Sequence, residues 1–311
     1  MVRTDIDRGR ALAELLHEAF RTTGIHGRKD MPEDDLPAGV VRGSLEHILF
    51  LTLTVSIDYQ RDANALWSNA RRSFEDAGTR YLFDPHRLSD APWRQVGADL
   101  QKYGLSKKAA KDCTIWRTGG ITFHKKLNGD PRQFLADCGW DAPTVLGRLR
   151  SDTHLNFEKD VPDYPYLRGP KIGPLWLRML RDNAGLKIEC LDAVPIPVDV
   201  HVARATLAVG VVCGQYDGPM DEIYAEIRKA WHGSVAGLQT DGREMIALDL
   251  DEALWHLSKY GCTDRDLDTG DCPPLSDMRG KGLLRQGARL RCRARVLFWK
   301  PSHRCVSHGN R

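Results

Sequence analysis

Apolar residues in this 311-residue chain recur three and four positions apart through segment after segment, and that period dictates helices. In residues 7–22, Leu12, Leu15, Leu16, Ala19 and Phe20 fall on one helical stripe. Residues 44–57 are apolar almost throughout, read as a buried helix, and end in the polar run Asp58-Tyr59-Gln60-Arg61-Asp62. A further helix carries Ala65, Leu66, Ala70 and Phe74; Pro85, Pro92 and Pro131 punctuate shorter ones, and Asp141-Ala142-Pro143 looks like a capped start. Residues 24–39, rich in Gly, Pro and Asp, read as a loop. Good strand alternation is confined to residues 288–295, where period two places Arg289, Arg291, Arg293 and Arg295 on one face. The expected fold class is therefore all-α, with a short basic extended element near the C-terminus.

Composition narrows the function classes. With 41% hydrophobic and 28% charged residues the chain is not a disordered one, and its length allows two helical lobes. The longest apolar runs, residues 47–57 and 205–213, fall short of the roughly 18 residues a membrane span needs. The first residues lack the apolar core of a secretion signal, so a cytoplasmic location is expected. The net charge is only +3, but residues 279–311 hold ten Lys and Arg and no acid. Such a stretch suits a polyanionic partner, or forms a solvated tail.

Residues 164–210 carry the chemistry. In Gly169-Pro170-Lys171-Ile172-Gly173 a glycine-containing turn opens a helix over residues 175–183 whose periodic face is Leu175, Met179 and Leu180. Backbone N–H groups at such a start favour a phosphate, Gly169 and Gly173 allow close approach, and the Lys171 amine faces that anion or a reacting centre. Further on, Pro195 and Pro197 hold the chain extended until Asp199, where helical period resumes. Taken alone, Asp199 reads as an N-cap and Lys171 as a surface or phosphate-contacting lysine.

Together the two halves resemble the helix-hairpin-helix DNA glycosylases, the superfamily of endonuclease III and 8-oxoguanine DNA glycosylase. Residues 169–173 match the latter part of the family hairpin, and Val198-Asp199-Val200-His201-Val202-Ala203-Arg204 matches its V-D-x-H-x-x-R motif throughout. Residues 100–109, Leu-Gln-Lys-Tyr-Gly-Leu-Ser-Lys-Lys-Ala, look like the segment preceding the hairpin. The resemblance spans about residues 45–215. Leu167 stands where the family has its first hairpin glycine, and Lys171 and Asp199 are 28 residues apart, nearer to the archaeal 8-oxoguanine branch.

The resemblance implies two helical lobes with the hairpin at their junction. One is a six-helix barrel over residues 46–190; the other combines residues 1–45 with 191–311. It implies a DNA glycosylase that extrudes a modified base from duplex DNA, acting as a monomer associated with the nucleoid. Asp199 would stabilise the cationic sugar, and Lys171 would attack it, form a Schiff base and cleave the strand by β-elimination. The alternatives are a monofunctional glycosylase in which Asp199 activates water, action on a hypermodified base such as phage DNA carries, or a binding module without catalysis. Oxidised guanine is the expected target.

Arg168, Gly169, Gly173, Arg204 and the Arg289, Arg291, Arg293, Arg295 strip are the expected DNA contacts. Asp58, Tyr59, Gln60, Arg61, Trp116, Leu175 and Trp176 are candidates for the wedge or base pocket, and Trp140 is a further aromatic of that kind. His201 is read as support. No cofactor is required. Cys262, Cys272, Cys292 and Cys305 are spaced too irregularly for the family's iron–sulfur loop and lack the close pair of a zinc site. The remaining cysteines, Cys113, Cys138, Cys190 and Cys213, read mostly as buried small hydrophobes.

Overall fold

The computed structural model describes residues 2–214 and 219–262. The strip at Arg289, Arg291, Arg293 and Arg295 and the cysteines Cys272, Cys292 and Cys305 lie outside the described residues, as does the side chain of Cys262. The fold is all-α. In chain order its elements are β1 (Val2–Thr4), α1 (Ile6–Thr22), α2 (Leu45–Val55), α3 (Ala63–Glu75), α4 (Pro85–Asp90), α5 (Trp93–Lys102), α6 (Ala109–Leu127), α7 (Pro131–Asp137) and α8 (Ala142–Ser151). There follow β2 (Thr153–Asn156), β3 (Lys159–Pro162), α9 (Ile172–Asp182), α10 (Val200–Val209), β4 (Val212–Gly214), α11 (Met220–Val235), β5 (Gln239–Thr240), β6 (Arg243–Glu244) and α12 (Asp251–His256). Among the described residues the strands form only antiparallel pairs, β1 with β4, β2 with β3 and β5 with β6. No described helix is long and apolar enough to cross a membrane.

Aspartates set where many helices begin. The side chains of Asp5, Asp62, Asp84, Asp130, Asp141 and Asp199 each accept a hydrogen bond from a first-turn N–H, and Pro85 and Pro131 occupy the position where a missing N–H costs nothing. Each such cap contributes about 1 kcal/mol.

The helices divide between two compact units. The first comprises Asp30–Pro197 with Ile246–Leu248, and the second the described parts of Met1–Lys29, Val198–Met245 and Asp249–Arg311. In the first, α2 is buried from His47 to Val55 and lies at the centre of the core. Phe50 packs its ring against Trp67, Phe74 and Phe83 at centroid distances of 5.6–5.7 Å. Burying side chains of this size stabilises by about 1.5–3 kcal/mol each. An Arg178–Glu33 ion pair, both partners buried, fastens the 30–35 loop to α9. In the second unit α1 lies along α11, and Trp231 on α11 donates its indole N–H to Thr206 on α10 at 2.8 Å.

The β2–β3 pair escapes sequence reasoning for a clear reason. Its two-residue turn is Phe157-Glu158, both with positive φ (47° and 65°), where Asn or Gly is usual. Its strands have four residues each, with Leu155 and Phe157 largely in solvent. The hairpin is held at its base by Asp163, whose buried carboxylate contacts His154 and Lys126.

His47 gives this unit a pH dependence. The Gly43 N–H donates to its Nδ1 at 2.9 Å, so the neutral ring carries its proton on Nε2. Burial, with Arg42 adding repulsion, lowers its pKa to about 4. A depressed histidine pKa means the unfolded chain binds the proton more readily. Stability is full above about pH 6.5 and is lost progressively toward pH 4, by about 3 kcal/mol in total from this group. NMR titration of the His47 ring should give a midpoint near 4; a midpoint near 6.5 would remove this account.

Candidate functional site

Three segments of the first unit meet around Lys171. The polar run after α2 supplies Asp58, Tyr59 and Gln60. The loop between α5 and α6, with the first turn of α6, supplies Lys107, Lys108, Lys111 and Asp112. The loop before α9 supplies Tyr166, Arg168 and Lys171. Lys171 stands at the N-cap of α9, and its amine lies 3.1 Å from Asp58 Oδ2 and 3.2 Å from the Asp58 carbonyl. Asp58 is buried, while about a quarter of the Lys171 side chain remains exposed.

Beside this pair Tyr59 and Tyr166 stack with ring centroids 4.4 Å apart and planes inclined by 27°. Lys108 lies over the Tyr59 ring, and Lys111 over both rings, at 4.8–5.0 Å from the centroids. Such cation–π contacts contribute about 0.5–1 kcal/mol each at an exposed site. The Tyr59 hydroxyl donates to Asp112 Oδ1. Burial and that carboxylate push the phenol well above its usual range.

Asp112 organises the segment. It sits in the first turn of α6, where the N-cap, Lys108, has no capping side chain. Its Oδ2 therefore accepts at 2.9 Å from the backbone N–H groups of Lys107 and Lys108 and from the Ser106 hydroxyl. Gln60, exposed and in the left-handed region (φ 51°), accepts from the Lys108 amine at 2.7 Å. The result is a stacked tyrosine pair carrying exposed Lys108 and Lys111, with both nearby carboxylates buried. Electrostatically these lysines favour an anion.

Several expected site residues lie elsewhere. Trp116 and Trp176 are wholly buried and donate their indole N–H groups to Leu82 O (2.7 Å) and Thr52 Oγ1 (2.9 Å). An indole packed on both faces has none to offer an extruded base, so both are core residues. Leu175 belongs to the same core, and Trp140 packs against it partly buried. Arg61 does not reach outward, because its guanidinium donates to the carbonyls of Leu105 (2.7 Å) and Gly104 (3.4 Å) and braces the α5–α6 loop.

Gly173 is also a packing residue rather than an anion contact. A Cβ there would lie 2.8 Å from the Leu167 carbonyl and 2.9 Å from Leu146 Cδ2, so its glycine serves the α8–α9 approach. The anion-binding turn itself is thinner than the sequence suggests. Pro170 and Pro174 have no N–H, and the N–H groups of Gly173 and Leu175 go to the carbonyls of Gly169 and Lys171. The Gly169 N–H is itself taken by the Tyr166 carbonyl at 3.0 Å. Cys113 and Cys138 are buried, Cys213 is partly exposed and Cys190 is exposed.

In the second unit Asp199 caps α10. Its Oδ1 accepts from His201 N–H at 2.8 Å and Val202 N–H at 2.9 Å, which leaves Oδ2 without a hydrogen bond among the described residues. The residue is partly exposed. His201 Nδ1 lies 3.3 Å from the Ser258 hydroxyl. Arg204, one turn further on, is half-buried and has no ion pair among the described residues.

Tyr166, Lys111 and Asp112 escaped sequence reasoning. For Asp112 a signal exists, an acid in the first turn of a helix whose N-cap carries no acceptor side chain. For the Tyr59–Tyr166 stack there is none, since the partners are over a hundred residues apart. Among the described residues no group of three or more His, Cys, Asp and Glu is placed to hold a metal ion. No family model matches the chain, and no curated protein matches it.

Proposed function

We propose that this protein is a DNA glycosylase that removes a modified base from duplex DNA and then nicks the strand as a lyase. The observation that carries the reading is the Lys171 amine. It is a nucleophile held by Asp58 at the start of α9, partly exposed, beside a stacked tyrosine pair carrying exposed lysines. Cations that track a phosphate backbone beside a reactive amine are what a nucleotide drawn from a duplex requires. Lys171 is the nucleophile, which forms a bond to the sugar and leads through a Schiff base to β-elimination. Asp199, with one oxygen committed to its helix and the other open, is the carboxylate that stabilises positive charge developing on the sugar. Gln60, exposed at the tip of the polar run, is the group that fills the gap in the duplex. Arg168 and Arg204 are phosphate contacts.

The test uses duplexes carrying 8-oxoguanine and a panel of other modified bases. Incubation followed by hot alkali should break the strand at the modified position, and borohydride should trap a covalent protein–DNA adduct. Strand breaks without an adduct would support the monofunctional alternative. An adduct that persists in Lys171→Ala would overturn the lysine assignment. Failure to release any base from any duplex would leave a DNA-binding module.

A further inference from the structure

Resting on the glycosylase–lyase reading, we propose that Asp58 is the proton acceptor that frees the Lys171 amine for attack. A protonated amine has no electron pair to give, so a lysine nucleophile needs a group that takes its proton within hydrogen-bond reach. Asp58 Oδ2 meets that requirement at 3.1 Å, and the carbonyl of the same residue, at 3.2 Å, holds the amine from a second direction. The carboxylate is mounted rigidly. Asp58 is 7% exposed, follows the buried helix α2, and donates its N–H to the Val55 carbonyl at 3.0 Å.

Other charged groups shape the balance. Burial lowers the Arg61 pKa, with Asp112 and Asp58 opposing that shift, and Lys111 lies across the neighbouring rings. In the free protein the pair rests as ammonium and carboxylate. A nucleotide seated beside the tyrosine pair displaces water, and loss of water penalises separated charges more than the neutral amine and acid. The proton then moves from Nζ to Oδ2. The nitrogen electron pair forms a bond to C1′ as the C1′–N glycosidic bond breaks. The base leaves with the electron pair of the broken glycosidic bond and takes up the proton shed by the newly bonded lysine nitrogen.

A carboxylate that only ties α2 to α9 and one that accepts the proton differ in a measurable way. Asp58→Asn keeps an oxygen acceptor for the amine and nearly the same shape, yet cannot take its proton. The experiment measures single-turnover trapping by borohydride on a duplex with a preformed abasic site, which separates amine chemistry from base recognition, between pH 6 and 10. Asp58→Asn should form the adduct about 100-fold more slowly at pH 7, with the gap narrowing as rising pH deprotonates the lysine directly. Asp58→Glu should recover part of the rate, and it carries the test if Asp58→Asn fails to fold by thermal unfolding.

Wild-type rates in Asp58→Asn, or a deficit of constant size at every pH, would overturn the role for Asp58 while leaving the lyase reading standing. Absence of any adduct with the wild-type protein would overturn the lyase reading, and the role of Asp58 with it.

Discussion

Asp199→Asn is expected to slow base excision by about 100- to 1000-fold while leaving the protein folded, the range found when one preorganised electrostatic contact is removed. The substitution separates the two roles open to this residue. As a cap, Asp199 uses one oxygen to accept from the His201 and Val202 N–H groups. Asparagine presents an equivalent oxygen and ranks with aspartate at this position, so α10 should keep its start and the melting temperature should move little. What asparagine lacks is the negative charge proposed to stabilise a sugar cation. Asp199→Ala removes both functions and should add a loss of about 1 kcal/mol in stability. Single-turnover base release beside thermal unfolding reads the difference. Wild-type excision by the asparagine variant would reduce Asp199 to a helix cap.

Arg178→Ala should produce the largest loss of stability in the first unit, about 3–5 kcal/mol, the cost of leaving a buried charge without its partner. Arg178 is wholly buried and Glu33 is 2% exposed, and the two contact directly. Burial pushes the Glu33 carboxyl up, and the guanidinium opposes that shift. Arg178 also donates to Asn183 Oδ1 at 3.3 Å, and the Asn183 amide donates to Asp34 at 2.6 Å, so one side chain anchors the whole 30–35 loop. In a domain of this size the melting temperature should fall by about 10 °C. Replacing the pair together, Arg178→Met with Glu33→Leu, should restore most of the loss, because the charge stranded by the single change is then absent. A single variant that melts within 2 °C or so of wild type would refute this reading of the pair.

The helical plan was legible because it is written in local chemistry. Residues 7–22, 44–57 and 175–183, read from apolar spacing alone, correspond to α1 (Ile6–Thr22), α2 (Leu45–Val55) and α9 (Ile172–Asp182). Asp141 and Asp199 were readable as caps because an N-cap interacts only with its own first turn. The tryptophans illustrate the limit. Trp93 is 43% exposed, whereas Trp116 and Trp176 are wholly buried. Nothing in a residue's type tells which side of a helix another element will cover. The hairpin at residues 153–162 was missed because its turn residues, Phe157 and Glu158, are not those that usually adopt positive φ.

The candidate site shows the same division. Lys171, Asp58, Tyr59 and Gln60 could each be picked out from motif and position, but as members of separate groups. Their assembly depends on a lysine 113 positions after its carboxylate partner and on a tyrosine stack joining the α2 end to the loop before α9. Contacts at such separations are set by how helices pack, through the summed burial of many side chains, and leave no trace in local sequence. Sequence alone therefore determined the all-α class, the helix starts and the residues able to do chemistry, because period, capping and side-chain type act within a turn or two. Tertiary structure alone decided that Asp58 holds the Lys171 amine, that Arg61 braces a loop and that Trp116 and Trp176 belong to the core, because each outcome rests on which distant surface closes over a side chain.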